Sequence, residues 1–163
     1  MIRRNGPAAR NGAGYTLARS VAKGLAAGLA GTAAMTVSST LEARARHRAP
    51  STAPADAAAK VLGIGTFADE AAHQRFSTLV HWGYGTGWGA VHGLLRAAGL
   101  PPAAAAPAHG VAVWGSAQVT LPLLDVAPPA FLWPRAEVAI DAWHHAVYAT
   151  ATGLAYRALD ARR

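Results

Sequence analysis

The chain has 163 residues, enough for one domain and too few for a catalytic domain with a separate regulatory one. Only 14% of them are charged and 52% are hydrophobic, a charge content well under the roughly 25% of an average soluble domain. The absence of Cys excludes disulfides, thiolate metal sites and a cysteine nucleophile. The net charge of +7 does not come from basic residues interleaved with aromatics along one face, so nucleic acid is not expected as a partner.

Residues 1 to 14, rich in Arg, Asn, Gly and Ala without hydrophobic period, read as a disordered basic tail. Beyond it, four stretches hold no Asp, Glu, Lys or Arg: 24–41, 76–95, 97–124 and 142–156. A bilayer core of about 30 Å needs about 20 helical residues, so these gaps predict four transmembrane helices. The first runs over about 17–41, from Lys23 snorkelling at one end to the basic group Arg44, Arg46, His47 and Arg48 at the other. A secretory signal with cleavage near Thr32 to Ala34 is the competing reading of this segment. Its 18 uncharged residues are long for a signal core, and three more apolar stretches follow.

In the loop from 42 to 75, Pro54 to Leu62 predicts a short helix lying on the membrane surface, preceded by Ser51 and Thr52 and ended by Gly63. The second span covers about 76–95 and stops at Arg96, Gly99, Pro101 and Pro102. The third is expected to begin near Pro107 and reach 124, with Pro122 bending or ending it, and the fourth covers about 136–158. Lys and Arg divide nine to six in favour of the side carrying the termini, which places both termini in the cytoplasm. The expected fold is therefore all-α: an integral membrane four-helix bundle over 15–163 with an interfacial helix in its first loop.

Lipid tails are as apolar as Leu, so helices in a bilayer associate through close backbone approach and interhelical hydrogen bonds. Gly85, Gly89 and Gly93 recur every four residues in the second span, and Gly24 and Gly28 do so in the first; these mark the expected packing faces. Polar residues form stripes as well. Glu137, Asp141, His144 and Tyr148 share one arc of the fourth helix, and His81, Trp88 and His92 share one of the second. Comparing depths from the span midpoints groups His81, Gln118, Asp141 and His144 in one polar cluster and His92 with His109 toward the opposite face. The first cluster has three readings: an interhelical hydrogen-bond network, a proton or ion pathway, or a metal site in which His81, Asp141 and His144 are the candidate ligands. Haem has no attachment motif here, and no phosphate loop or nucleophile elbow is present, so no catalytic residue and no cofactor is assigned; a transition metal is the one candidate ion.

The run His81-Trp82-Gly83-Tyr84-Gly85, the later Gly89 and Gly93-Leu94-Leu95, and His109 through Pro122 followed by Glu137 and His144 resemble the YagU-type bacterial inner-membrane proteins over residues 76 to 156. The resemblance implies a multi-pass bacterial inner-membrane protein without an established molecular activity. The expected function is that of a non-enzymatic structural or interaction protein whose partners are the lipid bilayer and a second copy or another membrane protein. The alternative is a proton, ion or metal-binding membrane protein built on the intramembrane His/Asp cluster.

Overall fold

The computed structural model describes residues 7–162, with side chains placed from residue 16 onward. It is all-helical, with no strand among the described residues. The helices are α1 (Pro7–Ala45), α2 (Ala53–Leu62), α3 (Glu70–Ala97), α4 (Pro102–Leu123) and α5 (Arg135–Ala161), with a 3-10 turn at Ala130–Leu132. Residues 1–6 of the expected tail lie outside the described residues, but 7–14 are helical and continue α1 toward the N-terminus. Pro7 suits a first helical turn because its missing N–H would be unpaired there anyway, and Ala8, Ala9 and Ala13 favour the helix after it.

Each later boundary also has a local cause. Asp69 caps α3 by accepting from the Ala72 N–H at 2.6 Å, so the helix starts six residues before Phe76. α4 starts at Pro102 instead of near Pro107: Pro102 takes the first-turn position, and Pro107 removes only one backbone bond from a run of Ala that is otherwise strongly helical. Four helices end in the same wrapped turn, with a left-handed residue at His47, Gly63, Gly99 and Asp125. At Gly63, for example, the next amide (Ile64) reaches back to the Ala59 carbonyl at 2.8 Å.

α1 is the central element. It packs along both α3 and α5, while α3 and α5 scarcely touch each other; α4 lies mainly on α5, and α2 folds against α3. The contact of α1 with α3 is backbone on backbone. A Cβ added to Gly28 would stand 2.7 Å from the Gly89 Cα and 2.8 Å from the Thr86 carbonyl, and one added to Gly89 would stand 2.6 Å from the Gly28 Cα. At Gly24, Gly85 and Gly93 an added Cβ would overlap the Gly89 carbonyl, the Thr32 hydroxyl and the Ser20 carbonyl respectively. On the other side of α1, Gly31 leaves room for Tyr148 and Thr152 of α5.

Among the described residues one helix is long and apolar enough to cross a membrane: α1, over Thr16–Ala45, with 28% of its most apolar stretch buried. α3, α4 and α5 have the length of spans, but Gly, His, Thr and Trp interrupt their apolar sequence and no stretch of them is apolar enough to qualify.

Substitutions at the glycines test the backbone contact. Gly89→Val should destabilise the fold by about 3 kcal/mol, because neither facing helix can yield. Gly83→Ala, on the same helix but facing open space, should instead stabilise it by about 0.5 to 1 kcal/mol. Thermal unfolding of the purified protein followed by far-UV circular dichroism checks both, and equal effects at the two positions would contradict the assigned interface.

Candidate functional site

The polar residues predicted to cluster lie at the end of the molecule where α1 finishes and α3 and α5 begin. His81 on α3 pairs through Nε2 with the Thr36 hydroxyl of α1 at 2.8 Å. His144 on α5 pairs through Nδ1 with Ser38, also on α1, at 2.9 Å, and its Nε2 lies 3.6 Å from a Glu42 carboxylate oxygen. Asp141, by contrast, points at α4: its Oδ2 accepts from the Trp114 indole at 2.8 Å and from the Gln118 amide at 3.2 Å. Asp141 and Gln118 thus meet directly, whereas each of the two His side chains is held by a hydroxyl of α1.

His81, Asp141 and His144 nevertheless line one cleft of about 570 Å³. No hydrogen bond joins them to one another, and among the described residues no three His, Asp or Glu side chains converge closely enough to hold a metal ion. The physical reason is the position of α1. It packs along both α3 and α5, so His81 and His144 turn to α1 rather than toward each other, while Asp141 turns to α4.

Several partners escaped the sequence reading. Thr32 and Thr36 recur at helical spacing on α1, and each hydroxyl donates back to the carbonyl four residues earlier, at 2.8 and 2.7 Å. That spacing was a usable signal for a polar face on the first helix. Trp114, one turn before Gln118, carried a similar one. His145 donates its Nδ1–H to the Asp141 backbone carbonyl at 2.8 Å, which fixes its tautomer.

Charged groups close this end of the molecule. Glu42 takes hydrogen bonds from Arg46 and Arg48, and Arg46 bridges onward to Glu137. Glu137 first, and Glu42 second, raise the Arg46 pKa above its ordinary value. Lys60 of α2 donates to the carbonyls of Leu124 and Asp125 at 2.6 and 3.0 Å, tying the short helix over the end of α4. At the other end, Lys23 pairs with Asp160 at 2.7 Å.

His92 and His109 meet in the interior toward that opposite end, 2% and 0% exposed, with ring centroids 5.2 Å apart. His109 donates its Nε2–H to the Trp88 carbonyl at 3.0 Å, and Tyr148 donates to the Gly85 carbonyl at 2.6 Å. Both carbonyls lie on the Gly-rich stretch of α3. The Nδ1 atoms of His92 and His109 have no hydrogen-bond partner among the described residues.

No protein-family model, curated protein or solved structure matches the chain.

Tyr148 is the interior donor whose removal is cleanest, because Phe keeps the ring and its contact with His109. Tyr148→Phe should cost about 1 kcal/mol, leaving the Gly85 carbonyl to its intrahelical bond alone. Equilibrium unfolding in denaturant measures this loss, and an unchanged midpoint would show that the hydroxyl contributes nothing.

Proposed function

We propose that this chain is an integral protein of the bacterial inner membrane, with α1, α3, α4 and α5 as its four spans, and that it acts through contacts with another membrane protein or a second copy rather than through chemistry of its own. The observation that carries the reading is an inverted distribution of polarity. The largest fully buried side chains are Tyr148, His92, His109, Thr32 and Thr152, whereas Leu29, Val37, Leu79, Val111, Leu123 and Leu154 are exposed. A water-soluble domain places its Leu and Val inside and its His and Thr outside. The reverse order suits a lipid surround, where apolar side chains meet acyl chains and polar groups must find partners within the protein.

The glycine contacts support the same reading, since close approach of backbones is the means by which helices associate in lipid. The YagU-type resemblance and the apolar run of α1 agree with it. Exposed aromatic and aliphatic side chains at the helix ends, among them Phe131 and Leu132, suit an interfacial belt. In this topology the termini and the α3–α4 turn face the cytoplasm, and the loops carrying Ser51 and Pro128 face the opposite side.

Two measurements test it. In alkaline carbonate the protein should remain with the membrane pellet, and its release into the supernatant would refute integral insertion. Because the chain has no Cys, single cysteines report topology without background. Ser51→Cys should react with a membrane-impermeant maleimide added outside spheroplasts, and Ala98→Cys only after permeabilisation. Outside labelling of Ala98→Cys would reduce the protein to fewer spans.

A further inference from the structure

We propose that the cleft between α1, α3 and α5 is a binding site for a molecular ammonium cation with an apolar or aromatic body, anchored by the Asp141 carboxylate and the His144 imidazole. The volume of about 570 Å³ is that of a small-molecule pocket and far exceeds that of a single ion. Its His and carboxylate groups are also spread too widely for an ion's coordination shell. A larger ligand is needed to span them.

Charge decides the sign of the ligand. The ionised groups lining the cleft are Arg48, Glu137 and Asp141, a net charge of −1. Arg48 is engaged by Glu42, and Glu137 by Arg46, so neither is left to hold a ligand. Asp141 has no Lys or Arg partner among the described residues. Its two hydrogen bonds from Trp114 and Gln118 both fall on Oδ2, which orients the carboxylate and leaves Oδ1 with only the His145 imidazole at 3.5 Å. An anion would find no free cation here, whereas an ammonium group would find an oriented carboxylate.

His144 supplies the second, independent observation. Its side chain is 7% exposed, it lines the cleft, and its Nε2 has no hydrogen-bond partner among the described residues. Nδ1 is already occupied by Ser38, so Nε2 is the ring atom left for a ligand. Nε2 faces a Glu42 carboxylate oxygen at 3.6 Å, beyond hydrogen-bond length, and in the tautomer that donates Nδ1–H to Ser38 it carries a lone pair that can accept an ammonium N–H. Asp141 and His144 are three residues apart on α5 and line the same cleft, with Asp141 Oδ2 turned to α4 and His144 Nδ1 to α1. A primary ammonium has three N–H donors, so a bond to Asp141 Oδ1 leaves two for other acceptors of the cleft.

Aromatic walls define the rest of the ligand. Trp82 of α3 and Trp133 before α5 both line the cleft, and Trp133 is held in place by its indole donating to the Pro128 carbonyl at 2.7 Å. Indole faces attract cations and apolar rings alike. The geometry is independent of the bilayer, so the site can be tested in detergent solution whatever becomes of the spanning assignment.

The experiment is isothermal titration of the purified full chain with 2-phenylethylamine, and with 2-phenylethanol as the uncharged probe of the same body. Saturable binding of the amine is expected, with the alcohol at least about tenfold weaker, since it lacks the charge-assisted hydrogen bonds. Asp141→Asn keeps an oxygen for Trp114 and Gln118 and should weaken the amine by a similar factor. Absence of saturable amine binding to wild-type protein overturns the proposal, as does equal affinity for amine and alcohol. Both of those outcomes are read without any variant, so misfolding of Asp141→Asn cannot rescue or sink the idea. Where the variant matches wild type in circular dichroism and elution volume, unchanged amine affinity would also overturn it.

Discussion

The contact between Gly24 and Gly28 of α1 and Gly85, Gly89 and Gly93 of α3 sets the geometry of everything else. Two helices bearing ordinary side chains keep their axes 8 to 10 Å apart, and only glycine at the crossing lets backbone meet backbone. Gly31 lies about 60° from Gly28 and about 20° from Gly24 round α1 by helical arithmetic, and it brings α5 close. α1 is thereby wedged between α3 and α5. Two helices that run parallel are instead parted by a third where His81 and His144 lie, and meet further along through Tyr148 on Gly85 and Tyr156 on His92.

That separation explains why α1, which contains neither His nor Asp within its apolar stretch, is the partner of both His81 and His144. Its hydroxyls are suited to the task. Thr32 and Thr36 donate to their own helix, and Thr36 keeps a lone pair for the His81 ring. The hydroxyls therefore serve two helices at once with no net charge, which in a low-dielectric interior is far less costly than an ion pair. Charges collect at the two ends instead, as the Arg46, Glu42 and Glu137 group and as Lys23 with Asp160.

Much of this was readable in the sequence, and the omissions have a common origin. The short helix from Pro54 to Gly63 was legible because its start and stop are local chemistry, and the Gly ridges were legible because a four-residue repeat fixes a face. Depth along a helix was legible too, since rise per residue is constant. It put His81 level with Asp141, His144 level with Gln118, and His92 near His109. His92 does meet His109 and Asp141 does meet Gln118, but His81 and His144 bond to hydroxyls of α1 instead. Direction around the helix axis was not legible. Whether His81 turns to Asp141 or to Thr36 depends on which helix fills the gap, and that follows from the mutual fit of glycines on separate helices. Helix starts were misplaced for a smaller reason: apolarity marks where lipid could begin, whereas Asp69 and Pro102 mark where the helix begins.

That no stretch of α3, α4 or α5 is apolar enough to pass as a span follows from the same arrangement. An average over a helix adds its inner and outer faces together. On α3 the buried positions are Gly89, His92 and Gly93, on α4 they include His109, and on α5 they include His144, Tyr148 and Thr152. Each is a residue that lowers mean hydropathy, and each sits where it contacts another helix. The outward positions Leu79, Leu94, Val111, Val119, Leu123 and Leu154 are those that raise it. A helix that associates through glycine and interior hydrogen bonds carries weakly hydrophobic residues on its packing face, which lowers its average. α1 differs in holding one 18-residue stretch, rich in Ala and Leu, that is apolar enough to span. An average over a whole helix therefore mixes two faces, and the outer face is the quantity that bears on what surrounds the protein.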